Sequence, residues 1–283
     1  MGVSAAELRD VVERALAEDL GRGDVTSRLT VPEGQRARGV LRSKTALVVA
    51  GLPVAAEVFC ALDPSTECEL TVKEGAEVDA GTHLAVVIGT SAALLARERV
   101  ALNFLQHLCG IATFTRELKS RLAGLSVALL DTRKTTPGLR ALEKYAVRVG
   151  GGENHRLRLD DGILIKNNHL QLAGGVRAAI ERARRLRPSI APELPIEVEV
   201  RSLSELREAL DAGAEAVLLD NLTPDEVREC VALAAGRARL EVSGGITATN
   251  IRAYAETGVN SISVGALTHS APAADINFLI EPL

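Results

Sequence analysis

The sequence predicts an α/β protein in which a parallel α/β barrel follows a smaller N-terminal domain. Three observations carry this. From residue 127 onward, short aliphatic runs alternate with amphipathic helical segments. Each run carries or is followed by polar, charged or glycine residues at its C-terminal end. Aromatic residues make up only 2% of the chain and Trp is absent, so the core must be Leu, Val, Ile and Ala. That composition suits buried parallel strands, which read as aliphatic runs.

Taken in order, Ser4 with Glu7 forms a capping box, and Leu8, Val11, Val12, Ala15 and Leu16 recur at helical spacing. A helix over Ser4–Asp19 follows, then a loop over Glu18–Ser27. Strand-like segments lie near Ala37–Ala50, Glu67–Lys73 and Gly81–Gly89, with a helix over Pro53–Leu62. The glycine-punctuated Lys73–Gly89 reads as a small sandwich hairpin. A biotinyl or lipoyl carrier would read similarly but lacks its modifiable Lys here. Two helices follow, Ser91–Cys109 with Ser91 as N-cap, and Ile111–Ala123.

The aliphatic runs are Val127–Leu130, Ile163–Lys166, Ile196–Val200, Ala216–Leu219, Leu240–Val242 and Ser261–Val264. Helix starts lie between them: Pro137 in a first turn, Ser202 with Glu205, and Thr223-Pro224 with Glu226. Over the last four runs the repeat is about twenty residues, a usual length for a βα unit. Repeated βα units give a parallel sheet with right-handed crossovers. An open doubly wound sheet gathers its ligand groups at one switch point. Here every run is followed by candidates: Asp131-Thr132-Arg133-Lys134, Lys166, Glu199, Asp220-Asn221, Ser243-Gly244-Gly245 and Gly265. That distribution describes the mouth of a barrel.

With 283 residues, 25% charged and 47% apolar, the chain is an ordinary soluble globular protein of one large and one smaller domain. Scarce aromatics and a pI of about 5.8 exclude a general nucleic-acid binder. Cys60, Cys68, Cys109 and Cys230 show no zinc or redox spacing, so four reduced thiols and a cytoplasmic location are expected. The N-terminal segment lacks a basic and then apolar leader, and Ala6 breaks the myristoylation pattern. The longest apolar run, Ala46–Ala56, is too short to span a bilayer, so no membrane partner is expected.

Positive charge is concentrated in Asp131–His169, which holds eight Lys or Arg against five Asp or Glu in a chain of net charge −4. Most charge runs are solvated helix faces. This one also gathers Thr135, Thr136, Gly150, Gly151, Gly152, Asn154 and His155, which shape backbone and present donors. Arg133, Lys134, His155, Arg156 and Lys166 form a cation set suited to carboxylates or phosphates. Arg99 is a further candidate, although from the residues alone a helix-surface pair with Glu98 or a nearby carboxylate is the better reading. The turns Ser243–Thr247 and Val264–Ser270 can bring backbone N–H groups to a phosphate. Glu199 and Asp220 are the carboxylates at strand ends, placed for Mg²⁺ or ribose hydroxyls. The set reads as a site for a dianionic organic acid, a sugar phosphate and a divalent metal.

The segment DTRKTTPGLRALEKYAVRVGGGENHRLRLDDGILIKNNH resembles the signature of the quinolinate phosphoribosyltransferase family. So do EDLGRGDVTS, RERVALNFLQHLCGIAT, EVEVRSLSELREAL, AVLLDNL, EVSGGIT and GVNSISVGALTHS. The resemblance implies an incomplete, six- or seven-stranded α/β barrel over residues 111–270. It implies an N-terminal α/β sandwich over residues 1–110, with the tail 271–283 packed on it. It further implies transfer of a phosphoribosyl group from 5-phosphoribosyl 1-diphosphate to quinolinate with decarboxylation, using Mg²⁺. A homodimer or higher homo-oligomer with shared sites would supply Arg99 from its partner. Arg133, His155, Arg156 and Lys166 would surround quinolinate, Lys134 the diphosphate, and Thr132 would bind substrate beside them. Lys166, Glu199 and Asp220 carry the catalytic roles, with Glu199 and Asp220 facing ribose and metal. Ser243, Gly244, Gly245, Val264, Gly265 and Ala266 would cradle the 5-phosphate beside His269. One departure is Asn167, where family members commonly carry an acidic residue.

Two other functions fit parts of the pattern. A paralogue on the same fold could use another acceptor, such as a nicotinate enzyme without decarboxylation or a molybdenum-operon relative. A non-catalytic sugar-phosphate sensor could keep the glycine turns, but has no need of Glu199, Asp220 and a second cation cluster together.

Overall fold

A computed structural model describes residues 3–61, 63 and 65–283. The chain divides into two compact units. The first takes residues up to Arg116, Thr135–Gly151 and Leu267–Leu283; the second takes Glu117–Lys134 and Gly152–Ala266.

In the first unit, α1 (Ala5–Leu20) has the Ser4/Glu7 capping box and buries Leu8, Val12 and Leu16. The expected loop after it is partly helical. Asp24 accepts the Ser27 N–H and caps α2 (Val25–Thr30). Next come β1 (Arg36–Ser43), β2 (Leu47–Val48), α3 (Leu52–Cys60), β3 (Glu67–Leu70), β4 (Glu77–Val78) and β5 (His83–Thr90). The predicted end of α3 at Leu62 lies outside the described residues. β4 pairs with β2 while β5 pairs with β1 and β3, so Lys73–Gly89 is not a hairpin but spans two sheets.

A single helix, α4 (Ser91–Arg121), replaces the two expected helices. Gly110 does not break it. A Cβ there would lie 2.1 Å from the Pro272 carbonyl oxygen, so this glycine serves a close backbone approach. Within the same unit, α5 (Arg140–Val149) starts three residues after Pro137. The Glu74 carboxylate ties α5 to α3 by accepting the Gly51 and Leu52 N–H groups and the Tyr145 hydroxyl. The last strand, β12 (Ile276–Pro282), completes an antiparallel sheet of order β12-β1-β5-β3. This is the N-terminal α/β sandwich.

The second unit is the incomplete α/β barrel. Its strands are β6 (Ala128–Leu130), β7 (Ile163–Ile165), β8 (Ile196–Val200), β9 (Ala216–Asp220), β10 (Arg239–Ser243) and β11 (Ser261–Ser263). They are parallel in the order β6-β11-β10-β9-β8-β7. A bridge between Leu130 and Glu153 adds a seventh position beside β6. The helices are α6 (Asn167–Ala173), α7 (Val176–Ile190), α8 (Leu203–Asp211), α9 (Pro224–Ala234), α10 (Ile251–Ala255) and α11 (Ala266–His269), the last running across the unit boundary. Ser202 caps α8, and Thr223 with Glu226 forms the capping box of α9, as their sequences predict.

Strand alternation explains what faces the barrel axis. In β8, Ile196, Val198 and Val200 are fully buried, while Glu197 and Glu199 fall on the other face. In β10, Leu240 and Val242 likewise alternate with Glu241 and Ser243. Each fully buried Val, Leu or Ile is worth about 1.5–3 kcal/mol. The aliphatic face therefore stabilises the barrel, while the opposite parity is left for polar chemistry.

Candidate active site

The carboxyl ends of the barrel strands enclose a cavity of about 330 Å³. It is lined by Thr132, Arg133, Lys134, His155, Arg156, Leu164, Lys166, Glu199, Leu218, Asp220, Glu241, Ser243 and Ser263. Residues separated by up to 131 positions in the chain thus converge because they sit at equivalent strand ends.

Asp131, fully buried at the end of β6, organises one wall. Its carboxylate accepts the His155 backbone N–H at 2.9 Å and the Asn154 side-chain amide at 2.5 Å. Together with Glu153 pairing on β6, this locks the DTRK and ENHR segments side by side. Arg156 donates to the Gly162 carbonyl at 2.8 Å. Burial, and then the neighbouring Arg133 guanidinium, lower the Arg156 pKa from its ordinary value. The Arg133 Nε–H is buried without a hydrogen-bond partner. Two guanidiniums that repel one another, one with an unmet donor, are arranged for an anionic ligand.

On the other wall, Glu199 ends β8 and Asp220 ends β9. Arg201 reaches both, at 3.4 Å from Glu199 and 3.2 Å from Asp220. Two half-buried carboxylates on adjacent strands, held together by one exposed cation, are a hard-oxygen donor set that fits Mg²⁺.

The cavity floor holds a cluster the sequence reading did not single out. His155 Nδ1 accepts the Arg156 backbone N–H at 2.8 Å, so Nε2 carries the proton. That Nε2–H faces Glu197 at 3.3 Å and Glu241 at 3.7 Å. The three groups have the spacing of a metal site, but a proton on Nε2 occupies the lone pair a metal would need. Glu241 is 5% exposed, and its Oε1 accepts no hydrogen bond. Burial, and then the Glu197 carboxylate, push the Glu241 carboxyl up to about 7.

In the turn after β10, Gly244 has φ +98° and Gly245 φ +61°. A Cβ on Gly244 would lie 2.3 Å from Asn221 Oδ1, so the site requires glycine twice over. This turn does not open directly into a helix. Asn250 accepts the Thr247 N–H and donates to the Gly245 carbonyl, and α10 starts only at Ile251.

Of the predicted site residues, the cavity gathers Thr132, Arg133, Lys134, His155, Arg156, Lys166, Glu199, Asp220 and Ser243. Gly244 and Gly245 follow Ser243 at the rim, while Val264, Gly265 and Ala266 follow β11. Arg99 is exposed on α4 in the first unit, and His269 lies three residues past Ala266, bonded to Ser270. Glu197, Glu241 and Arg201 went unnoticed. The first two share strand parity with Glu199 and Ser243, the signal that reveals them.

An α/β barrel with this mouth defines a glycosyltransferase of the phosphoribosyl-transfer class. The chain belongs to the quinolinate phosphoribosyltransferase family: residues 24–109 match the model of its N-terminal domain and residues 111–279 that of its C-terminal domain. A probable nicotinate-nucleotide pyrophosphorylase (carboxylating) of Bacillus subtilis is 42% identical over 271 residues, covering 96% of this chain and 92% of the relative. The crystal structure of NadC from Streptococcus pyogenes is 38% identical with a TM-score of 0.93, covering 100% of this chain and 99% of that one. Human nicotinic acid phosphoribosyltransferase, 15% identical with a TM-score of 0.60, covers 97% of this chain and 73% of its own and shares the fold alone.

Proposed function

We propose that this protein transfers the phosphoribosyl group of 5-phosphoribosyl 1-diphosphate to quinolinate, releasing CO₂ and pyrophosphate and forming nicotinate mononucleotide for NAD synthesis. The observation that carries the reading is the pairing of Arg133 and Arg156 opposite Glu199 and Asp220 across one cavity. Quinolinate brings two carboxylates to the guanidiniums, His155 and Lys166. The sugar phosphate brings its 5-phosphate to the turns Ser243–Gly245 and Val264–Ala266, near His269. Lys134 meets the diphosphate.

The chemistry follows from charge. Loss of diphosphate builds positive charge on the ribose, which the Glu199 and Asp220 carboxylates stabilise, as carboxylates do in glycoside cleavage. Glu199 and Asp220 would hold Mg²⁺, and when bound it would neutralise charge on the departing diphosphate. Arg133 and Arg156 orient the pyridine nitrogen toward the ribose carbon. The pyridinium that forms withdraws electrons from the adjacent ring carbon, so its carboxylate leaves as CO₂. Asn167 beside Lys166 removes one negative charge from this region relative to common family members.

We infer a homodimer or larger assembly in which Arg99 of a partner subunit completes the site. A cytoplasmic location is consistent with four free cysteines. Among the described residues, no helix is long and apolar enough to cross a membrane. The test is to incubate the protein with Mg²⁺, quinolinate and the diphosphate donor and measure nicotinate mononucleotide and CO₂. Product without CO₂, or no product, refutes the reading.

A further inference from the structure

Decarboxylation leaves an unpaired demand in the reaction. When the bond between the ring carbon and its carboxylate breaks, CO₂ departs and the electron pair stays on that carbon. The carbon must then take a proton, and a group on the cavity wall must supply it. Arginine does not release a proton in proteins. Lys134 and Lys166 stand exposed at the rim, committed in the proposed reading to diphosphate and carboxylate.

We propose that Glu241 is the acid that protonates the ring carbon, with His155 and Glu197 as the positioning residues that hold it. The proposal rests on the quinolinate reading above and extends it. Glu241 lies on the cavity floor, beneath the guanidiniums that bind the carboxylates. Its Oε1 is buried yet accepts no hydrogen bond, an expensive state for an ionised oxygen and a tolerable one for a carboxylic acid. His155 Nε2–H faces Oε1 from 3.7 Å, placed to stabilise the carboxylate that forms.

A second cavity of about 300 Å³ lies below the floor, lined in part by Glu153, Asp161, Arg239 and Asn260. His155, Arg156, Leu164 and Glu241 line both cavities, so Glu241 borders the substrate cavity on one side and this second, mixed polar and apolar cavity on the other. The step balances: the O–H bond of Glu241 breaks, its pair stays on the carboxylate, and a C–H bond forms at the ring carbon. A water in the lower cavity then returns a proton to Glu241.

The charged and titratable groups around Glu241 are Glu197 on β8, His155 and Arg156 after Glu153, Arg133 across the mouth, and Arg239 on its own strand. The Ser261 and Ser263 hydroxyls face it from β11. Burial and Glu197 keep its carboxyl protonated to about pH 7, so the acid form is present at neutral pH and lost above it.

The experiment compares wild type, Glu241→Gln and Glu241→Asp. Calorimetry measures quinolinate affinity, and kcat for nicotinate mononucleotide is measured from pH 5.5 to 9, with pyrophosphate followed in a single turnover. Glu241→Gln is expected to bind quinolinate within about threefold of wild type and to lose about 100-fold or more in kcat, the scale of a general acid. Pyrophosphate is still released in the first turnover. Wild type loses kcat as pH rises through about 7, and the glutamine variant shows no such limb. Glu241→Asp keeps the limb at reduced kcat. If Glu241→Gln does not fold, the aspartate variant decides: kcat equal to wild type overturns the assignment. A folded glutamine variant with wild-type kcat and an unchanged pH limb overturns it, as does one that loses only quinolinate affinity. Wild-type protein that makes no nicotinate mononucleotide overturns the parent reading, a result distinct from either.

Discussion

Glu241→Gln should change how stability depends on pH, independently of turnover. The Glu241 carboxyl sits at about 7 in the fold against an ordinary 4.5, so the folded state keeps its proton where the unfolded chain has lost it. The sign follows. The contribution of protonated Glu241 is fully present below about pH 4.5 and is lost as pH rises through about 7. A difference of about 2.5 units at about 1.36 kcal/mol each gives roughly 3 kcal/mol lost across that window. Glutamine cannot ionise, so the variant lacks this loss. Urea unfolding of both proteins at pH 5, 6, 7 and 8 measures it: the stability of wild type relative to the variant should fall by roughly 2–3 kcal/mol between pH 5 and 8. Curves that stay parallel over that range would refute the idea that burial and Glu197 hold a proton on Glu241.

Arg133→Ala should weaken quinolinate binding about 100-fold or more, the cost of a lost charge-assisted fork in a desolvated site, while the far-ultraviolet spectrum stays that of wild type. Calorimetry and circular dichroism check this. Gly110→Ala puts a Cβ 2.1 Å from the Pro272 carbonyl oxygen and should cost about 2 kcal/mol or more, read as a lower unfolding midpoint. Arg201→Ala frees Glu199 and Asp220 from an exposed ion pair worth up to about 1 kcal/mol. The apparent Mg²⁺ requirement should fall by up to about fivefold, measured as the Mg²⁺ concentration for half-maximal rate.

The barrel was legible in the sequence because its strands announce themselves twice, by aliphatic runs and by what ends each run. All six runs became strands, and nine of the predicted site residues line one cavity. The failures have physical causes. Gly110 looks like a helix break, yet its lack of a Cβ serves a contact with a residue 162 positions away. The Lys73–Gly89 segment is punctuated by glycine like a hairpin, but pairing partners are chosen by long-range packing, which local pattern does not encode. Glu197 and Glu241 lie within their strands rather than at the ends, where alternation in IEVEV and RLEVS places them on the inner face. Arg201 carries no pattern signal; only the fold sets it between two carboxylates.

The first unit draws on the beginning, the middle and the very end of the chain. Its main sheet receives β12, residues 276–282, as the neighbour of β1, so that sheet is not complete until this late segment has been made. The barrel strands, by contrast, are all synthesised by residue 263. Until β12 arrives, β1 keeps one edge uncovered and exposed to pairing with other chains. Truncating the last eight residues would leave that edge permanently open.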